Sequence, residues 1–230
     1  MVLAHRGGTG PWRENTLEAF SGALAEGADG VELDVRSTAD GRLVVHHDAD
    51  IRGVGAIPVL GSSELPPWVP SLEEALEACA GAVVNVEVKN APGEPGFDPG
   101  QAVARRVAEV LAPGTGPSSR PRAVVVSSFW PATVAAVREG GPGLCVGLLV
   151  HPALEADPAL ETAAALGCRA LHLHYSQVSD TVVGRARELD MAVVTWTVND
   201  RSDVEAATEA GVDALITDQV RSTLAALGRV

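Results

Sequence analysis

The chain is poor in lysine: Lys89 is the only one among its 17 basic residues. It has only three cysteines, Cys79, Cys145 and Cys168, far apart and in no CxxC pair. That pattern excludes a disulfide framework and a cysteine zinc site, and leaves buried free thiols as the expectation. No apolar run is long enough to span a bilayer, so stable membrane insertion is not expected. The N-terminal MVLAHRGG meets an arginine and glycines at once. It leaves no room for the apolar stretch of a signal peptide, so the chain as given reads as cytoplasmic. Positive charge is also short. A net charge of −13 repels nucleic acid and anionic membrane surfaces at long range, which argues against both as partners. An anionic substrate then needs a metal or a local cation cluster to reverse the field. The lone lysine asks for a reason, because a compact ammonium and a planar guanidinium are not interchangeable.

What is present is a core. Hydrophobic residues make up 46% of the chain, and 230 residues suit one larger domain such as a barrel. Short β-rich runs alternate with helical patterns throughout. Strands are expected at 2–4, 31–35, 84–88, 123–128, 146–150, 170–174, 193–198 and 214–217. Helices are expected at 16–27, 71–79, 100–111, 131–138, 158–166, 180–189, 201–209 and 219–227. Eight strands alternating with helices predict parallel pairing and a (β/α)8 TIM barrel filling residues 1–230 as a single domain. Asn15 with Glu18, and Ser71 with Glu74, have the spacing of capping boxes. Gly/Pro-rich loops at 49–70 and 90–99 follow strands and belong at the C-terminal face, where barrel sites form. The first is a short cap-like loop. A third, at 112–121, follows a helix and should lie at the opposite end.

One apolar run, LVVHHD at 43–48, has no helix before it. It follows VELDVRST through Asp40-Gly41, a strong two-residue hairpin signal. We read it as an extra antiparallel strand returning along the second barrel strand. With Asp40 and Gly41 as the loop, Thr38 opposes Leu43 and Asp34 opposes His47. Directly opposed side chains share a face. His47 then falls beside Asp34 and Glu32, and His46 points to the other face.

Chemistry gathers at the strand ends. The first strand ends in His5-Arg6-Gly7. The second carries Glu32 and Asp34, two apart and so on one face, with His47 returning beside them. The third carries Glu87 and Lys89 in the same relation. Each fragment alone is common on solvated surfaces or in ion pairs. Together they bring three carboxylates, two imidazoles, an arginine and a lysine to one end of three adjacent strands. Three carboxylates in one place are costly without a cation. All-oxygen ligation favours one hard divalent ion, Mg²⁺ or Ca²⁺. Two histidines beside it suit an acid and a base, and Arg6 and Lys89 suit phosphate.

The stretch LAHRGGTGPWRENTLEAFSGALAEGADGVELDVRSTADGRLVVHHD resembles the signature of the glycerophosphodiester phosphodiesterase family. The likeness continues through VPSLEEAL, VNVEVK, VVVSSF, VTWTVND and GVDALITD, in order along essentially the whole chain. The resemblance implies a barrel of the phospholipase C-like phosphodiesterase type. It implies a metal-dependent hydrolysis of glycerophosphodiesters to sn-glycerol 3-phosphate and an alcohol. On matching positions Glu32, Asp34 and Glu87 would be metal ligands, His5 and His47 the acid/base pair, and Arg6 and Lys89 phosphate holders. Arg13 stands where the family usually has proline before ENT, and the segment after HHD is short where the family often inserts a larger cap.

Weaker candidates surround these. Glu14 either supports the site or orders its loop. Asn15 is favoured as a helix cap over a ligand, and Asp218 as a cap of the last helix over a site contact. Trp196 either walls the substrate pocket or simply packs, and Ser127, Ser128 and Phe129 end the fourth strand near the site. His172 and His174 are expected at a barrel–helix interface or a pocket wall, since no carboxylate accompanies them. Two other functions compete with the first. One is a lysophospholipase D-type activity with the same site, which an open apolar rim at the barrel mouth would favour and the scarcity of aromatics (3%) opposes. The other is a non-catalytic barrel that binds phosphate esters, which the complete set of histidines and carboxylates opposes.

Overall fold

A computed structural model describes residues 1–112 and 120–229. Most of the connector expected at 112–121 lies outside the described residues. In chain order the elements are β1 (Val2–His5), α1 (Leu17–Ala25), β2 (Gly30–Ser37), β3 (Leu43–Val45), β4 (Asp50–Ile51), β5 (Gly55–Ala56), α2 (Leu72–Ala78), β6 (Val83–Val88), α3 (Ala102–Leu111), β7 (Ala123–Ser128), α4 (Pro131–Gly140), β8 (Cys145–Val150), α5 (Ala156–Ala165), β9 (Ala170–His174), α6 (Asp180–Glu188), β10 (Ala192–Trp196), α7 (Arg201–Glu209), β11 (Ala214–Thr217) and α8 (Val220–Ala226).

Eight strands pair in parallel in the order β1, β2, β6, β7, β8, β9, β10, β11, and β11 closes on β1. The result is the TIM barrel that the alternation predicted. Its strands read as near-continuous apolar runs because both faces are covered. On β2, Val31, Leu33 and Val35 face the helices with Phe20 and Leu72, while Glu32 and Asp34 turn inward. The interior floor is lined by Leu3, Val83, Ala170, Val194, Ala214 and Ile216. Ser71 and Glu74 form the expected capping box on α2. No helix among the described residues is long and apolar enough to cross a membrane.

β3 returns antiparallel along β2, as expected, but in a different register. Ser37 pairs with Leu43, Arg36 with Val44 and Val35 with Val45. The turn has three residues rather than two. Thr38 N–H donates to the Arg42 carbonyl at 3.0 Å and Gly41 N–H to the Thr38 carbonyl at 2.9 Å. The Thr38 hydroxyl also donates to the Asp40 carboxylate. These side-chain bonds favour a type I turn closed by a left-handed residue, here Gly41 at φ +78°, over the two-residue alternative. A second small hairpin, β4 with β5, follows within 49–70 and has no counterpart in the sequence reading. Its Ile51 packs with Ile57 and Val44, flanked by Leu65, Trp68 and Val69.

Candidate active site

The paired strands β2 and β6 bring Glu32, Asp34 and Glu87 together, one carboxylate oxygen of each lying within 4.8 Å of the others. All three are buried. They line or adjoin a cavity of about 270 Å³ bounded by His5, Arg6, His47, Lys89, Phe129 and Trp196, among others. The two-residue spacings on β2 and β6 do what the sequence implied: they aim the carboxylates into the barrel.

The cations hold this cluster together. Lys89 Nζ lies 2.5 Å from Glu87 Oε1 and 3.0 Å from Asp34 Oδ1. A compact ammonium fits between two carboxylates where a fork would not, which answers why this basic residue is a lysine. Arg6 places Nε 3.3 Å from Asp34 Oδ2 and Nη1 3.1 Å from Glu14. Its backbone N–H donates to Glu32 Oε2 at 3.1 Å. To do so Arg6 adopts φ +53° and Gly7 φ +90°, and a Cβ on Gly7 would sit 2.6 Å from Ala19 Cβ. The HRGG turn is therefore a backbone requirement as well as a motif.

Charge is unevenly balanced across the three acids. Burial works against ionisation of Asp34, but Lys89 and Arg6 outweigh it and hold the carboxyl at about 2. Glu32 has no such pairing. Burial, and then the Asp34 charge, push it up to about 8, and its Oε1 is buried without a hydrogen-bond partner. An orphaned carboxylate oxygen beside two other acids fits a hard divalent cation, which would supply the missing positive charge.

Both predicted histidines reach the cavity, each anchored by its other ring nitrogen. His5 Nδ1 lies 2.7 Å from Asp218 Oδ1, and Asp218 is itself fixed by Asn199 Nδ2 at 2.8 Å. Nε2 of His5 is left facing Glu32 at 4.0 Å. Burial works against a charge on His5, but the Asp218 bond and Glu32 prevail and raise its pKa. His47 Nδ1 lies 2.7 Å from Asp48 Oδ1. Burial lowers its pKa, and Lys89 and Arg6 oppose the pull of Asp34.

His47 arrives by a different route from the one the hairpin predicted. The shifted register sets His46, not His47, against Asp34: His46 N–H donates to the Asp34 carbonyl at 3.0 Å. Regular pairing stops at Val45, and the chain leaves the strand. Arg36 Nε grips the His47 carbonyl at 2.7 Å, and the His47 ring lines the cavity. His46 turns away to stack on Trp68 at 5.9 Å.

Two other expectations are corrected. Asn15 does not cap α1. Thr16 does, accepting from Ala19 N–H at 3.3 Å, while Asn15, at φ +57°, donates to Asp34 Oδ2 at 2.8 Å. Asp218 does not cap α8 but holds His5. Its place just beyond the C-terminal end of a barrel strand was the signal for this role. Glu14 pairs with Arg6. Asn199, Asp48 and Asn85 also contribute, and sequence reading gave them no role. Trp196 lines the cavity with its ring edge-on to Phe129 at 5.5 Å. Ser127 bonds Asn85, and the Ser128 hydroxyl caps the end of β6 at the Val88 carbonyl. His172 is fully buried in the barrel interior, and His174 packs on Trp196 at 5.3 Å.

The model of the glycerophosphoryl diester phosphodiesterase family matches the chain over residues 5–60 and 56–222. The chain belongs to this family. It is thereby a phosphoric diester hydrolase by kinship. A glycerophosphodiester phosphodiesterase of Caldanaerobacter subterraneus subsp. tengcongensis is 29% identical over 95% of this chain and 93% of its own length. An Oleispira antarctica phosphodiesterase, solved in complex with the product sn-glycerol-3-phosphate, superposes with a TM-score of 0.85 at 26% identity, covering 99% of this chain and 96% of that one. The glycerophosphodiester phosphodiesterase of Thermotoga maritima superposes with a TM-score of 0.80 at 28% identity, covering 97% and 96%.

Proposed function

We propose that this site hydrolyses glycerophosphodiesters to sn-glycerol 3-phosphate and an alcohol, with one divalent ion held by Glu32, Asp34 and Glu87 and with His5 and His47 as the acid/base pair. The observation that carries the reading is the convergence of three buried carboxylates with two histidines, each of which keeps one ring nitrogen toward the same cavity. Mg²⁺ or Ca²⁺ suits the all-oxygen donor set. Held by Glu32, Asp34 and Glu87, such an ion would supply positive charge to the phosphodiester and to the charge that develops on it.

The rest of the chemistry belongs to side chains. Arg6 and Lys89 complete a cationic cradle for the phosphate oxygens. One histidine takes the proton from the attacking hydroxyl, of water or of the substrate's own glycerol, and the other returns a proton to the departing alkoxide. Asp218 and Asp48 fix the ring orientation and tautomer of the two bases. Trp196 forms the wall against which the substrate lies. The barrel works as one domain across residues 1–230, with 49–70 as a short cap. A cytoplasmic setting and a small-molecule substrate remain part of the proposal.

The test is release of glycerol 3-phosphate from glycerophosphocholine and glycerophosphoethanolamine, with Mg²⁺, Ca²⁺ or EDTA. Release that needs metal, is lost in His47→Ala and survives in His46→Ala supports the reading. No release from either diester with any divalent metal rejects it.

A further inference from the structure

One polar side chain of the reacting cavity takes no part in holding an ion, a phosphate or a histidine. Asn85 lines that cavity and is only 1% exposed. One end of its amide, Nδ2, donates to the Ser127 hydroxyl at 3.0 Å. The other end, Oδ1, is buried with no hydrogen-bond partner. A hydroxyl both donates and accepts, so turning the amide over would keep the Ser127 bond and still leave one end unpartnered. Ser127, itself buried, thus holds the amide in place while satisfying only half of it. A buried amide end without a partner is costly, and in a native fold it calls for a ligand or another stated cause.

Strand register locates the open end. Asn85 pairs with Glu32 on β2 and precedes Glu87 by two residues, so it shares the inward face about 7 Å deeper in the barrel. Val83 of the floor is the next residue down on that face, and the cavity reaches this depth, since Ile216 of the floor also lines it. A phosphate held by Arg6 and Lys89 near the three carboxylates therefore leaves Asn85 to the innermost end of the substrate. An anionic oxygen there would meet Glu32 and Glu87, and a quaternary ammonium offers neither donor nor acceptor. A hydroxyl is neutral and suits either end of the amide. We propose that Asn85 binds the terminal C1 hydroxyl of the substrate's glycerol and selects esters in which that hydroxyl is free. This rests on the phosphodiesterase reading above. From the phosphate ester to C1 the glycerol chain spans a distance comparable with the step from Glu87 to Asn85, while the C2 hydroxyl, nearer phosphorus, stays level with the carboxylates. The headgroup alcohol then points to the mouth, where it can vary and depart.

The experiment compares glycerophosphocholine with 2-hydroxypropyl phosphocholine, which lacks the C1 hydroxyl and keeps the C2 hydroxyl. Choline release is followed in the wild type, Asn85→Leu and Ser127→Ala. We expect the wild type to favour glycerophosphocholine by about a hundredfold in kcat/KM, because the analogue leaves a buried amide end unpaired. Asn85→Leu, apolar and of similar shape, should erase that preference, with about a hundredfold loss on glycerophosphocholine and at most a severalfold change on the analogue. Ser127→Ala, which frees the amide to turn, should lose about tenfold on glycerophosphocholine and less on the analogue. Equal wild-type kcat/KM for the two substrates overturns the inference without recourse to a variant, and leaves the phosphodiesterase reading standing. An Asn85→Leu chain that slows both substrates alike also overturns it, and reduces Asn85 to support for its neighbours. So does an Asn85→Leu chain whose melting temperature no longer responds to Mg²⁺ or Ca²⁺ as the wild type's does, which would make Asn85 a metal ligand. Failure of both substrates with every metal rejects the phosphodiesterase reading itself.

Discussion

The barrel mouth has two unlike halves. The half built by β1, β2 and β6 carries the carboxylates, Arg6 and Lys89, with His47 returning beside them from β3. The half built by β7, β8 and β10 offers Phe129, Leu149 and Trp196. The first is electrostatically incomplete. Lys89 and Arg6 satisfy Asp34, but Glu32 is left with a raised pKa and an orphaned oxygen. The second is complete as packed, its rings meeting edge to face. The difference separates two tasks. A wall that cannot balance its own charge is poised for a cation and a phosphate, and a wall that asks for nothing polar can only shape what lies against it.

The largest effect should come from breaking the charged half at its unbalanced member. Glu32→Gln should lower kcat/KM for glycerophosphocholine by about a thousandfold, or roughly 4 kcal/mol of transition-state stabilisation. It should leave the metal-free protein nearly as stable as before at neutral pH, because burial and the Asp34 charge already push the Glu32 carboxyl up to about 8. The complementary readout is the melting temperature with Mg²⁺ or Ca²⁺ against EDTA. Metal at a hundred times its dissociation constant should stabilise the wild type by about 2.7 kcal/mol, and Glu32→Gln should lose most of that increment. A metal-independent melting temperature in the wild type would sink the ligand assignment.

The interior beneath the apolar half holds an unpaired imidazole. His172 is fully buried with neither ring nitrogen hydrogen-bonded, and its Nε2 would lie 2.7 Å from a Cβ at Gly147, so that glycine makes room for the ring. Burial lowers its pKa from 6.5 to about 4. The unfolded chain therefore binds a proton that the folded chain refuses. The stability involved is fully present above pH 6.5 and is lost as pH falls toward 4, amounting to about 3 kcal/mol. Urea titrations from pH 7 to 4 should show that slope, and His172→Leu should flatten it. An equal acid sensitivity in the variant would place the loss elsewhere.

The third effect tests an anchor within the charged half. Asp218→Ala frees Nδ1 of His5 from its 2.7 Å bond. The ring then samples other orientations and the other tautomer. We expect about a hundredfold loss in kcat with little change in KM, and melting close to wild type. A loss confined to KM would make Asp218 a substrate contact instead.

The two halves were not equally legible in the sequence. Barrel strands declare themselves because burial on both faces writes continuous apolar runs, and every expected strand is found. The carboxylates on β2 and β6 were legible for the same geometric reason, since a spacing of two fixes a shared face. The hairpin register was not. It turns on whether the side chains of Thr38 and Asp40 close three residues or two, a contest of local hydrogen bonds that hydrophobic pattern does not record. Asn15 and Asp218 were misread because a polar residue at the end of a strand or the start of a helix can serve a cap or a site equally well. Only the third dimension shows that Thr16 already fills the first cap. β4 and β5, of two residues each, are too short to show any period.

The smallest effect concerns Arg13, which stands where the family usually has proline. Its guanidinium carbon lies 3.8 Å from the centroid of Trp68, and Trp68 carries His46 on its ring at 5.9 Å. Arg13, Trp68 and His46 thus link the loop before α1, the 49–70 segment and the end of β3, behind the histidine that enters the cavity. A cation over an indole at a partly exposed site contributes about 0.5–1 kcal/mol. Arg13→Ala should lower global stability by no more than that. It should speed protease cleavage within 49–70 and lower kcat at most severalfold, because His47 itself is held by Arg36 and Asp48. Arg13→Lys keeps the charge and should restore most of the protection, since an ammonium also sits favourably over a ring. If Arg13→Ala instead abolishes activity while 49–70 stays protected, Arg13 belongs to the phosphate cradle, and the boundary drawn here between a chemical wall and its support moves outward by one residue.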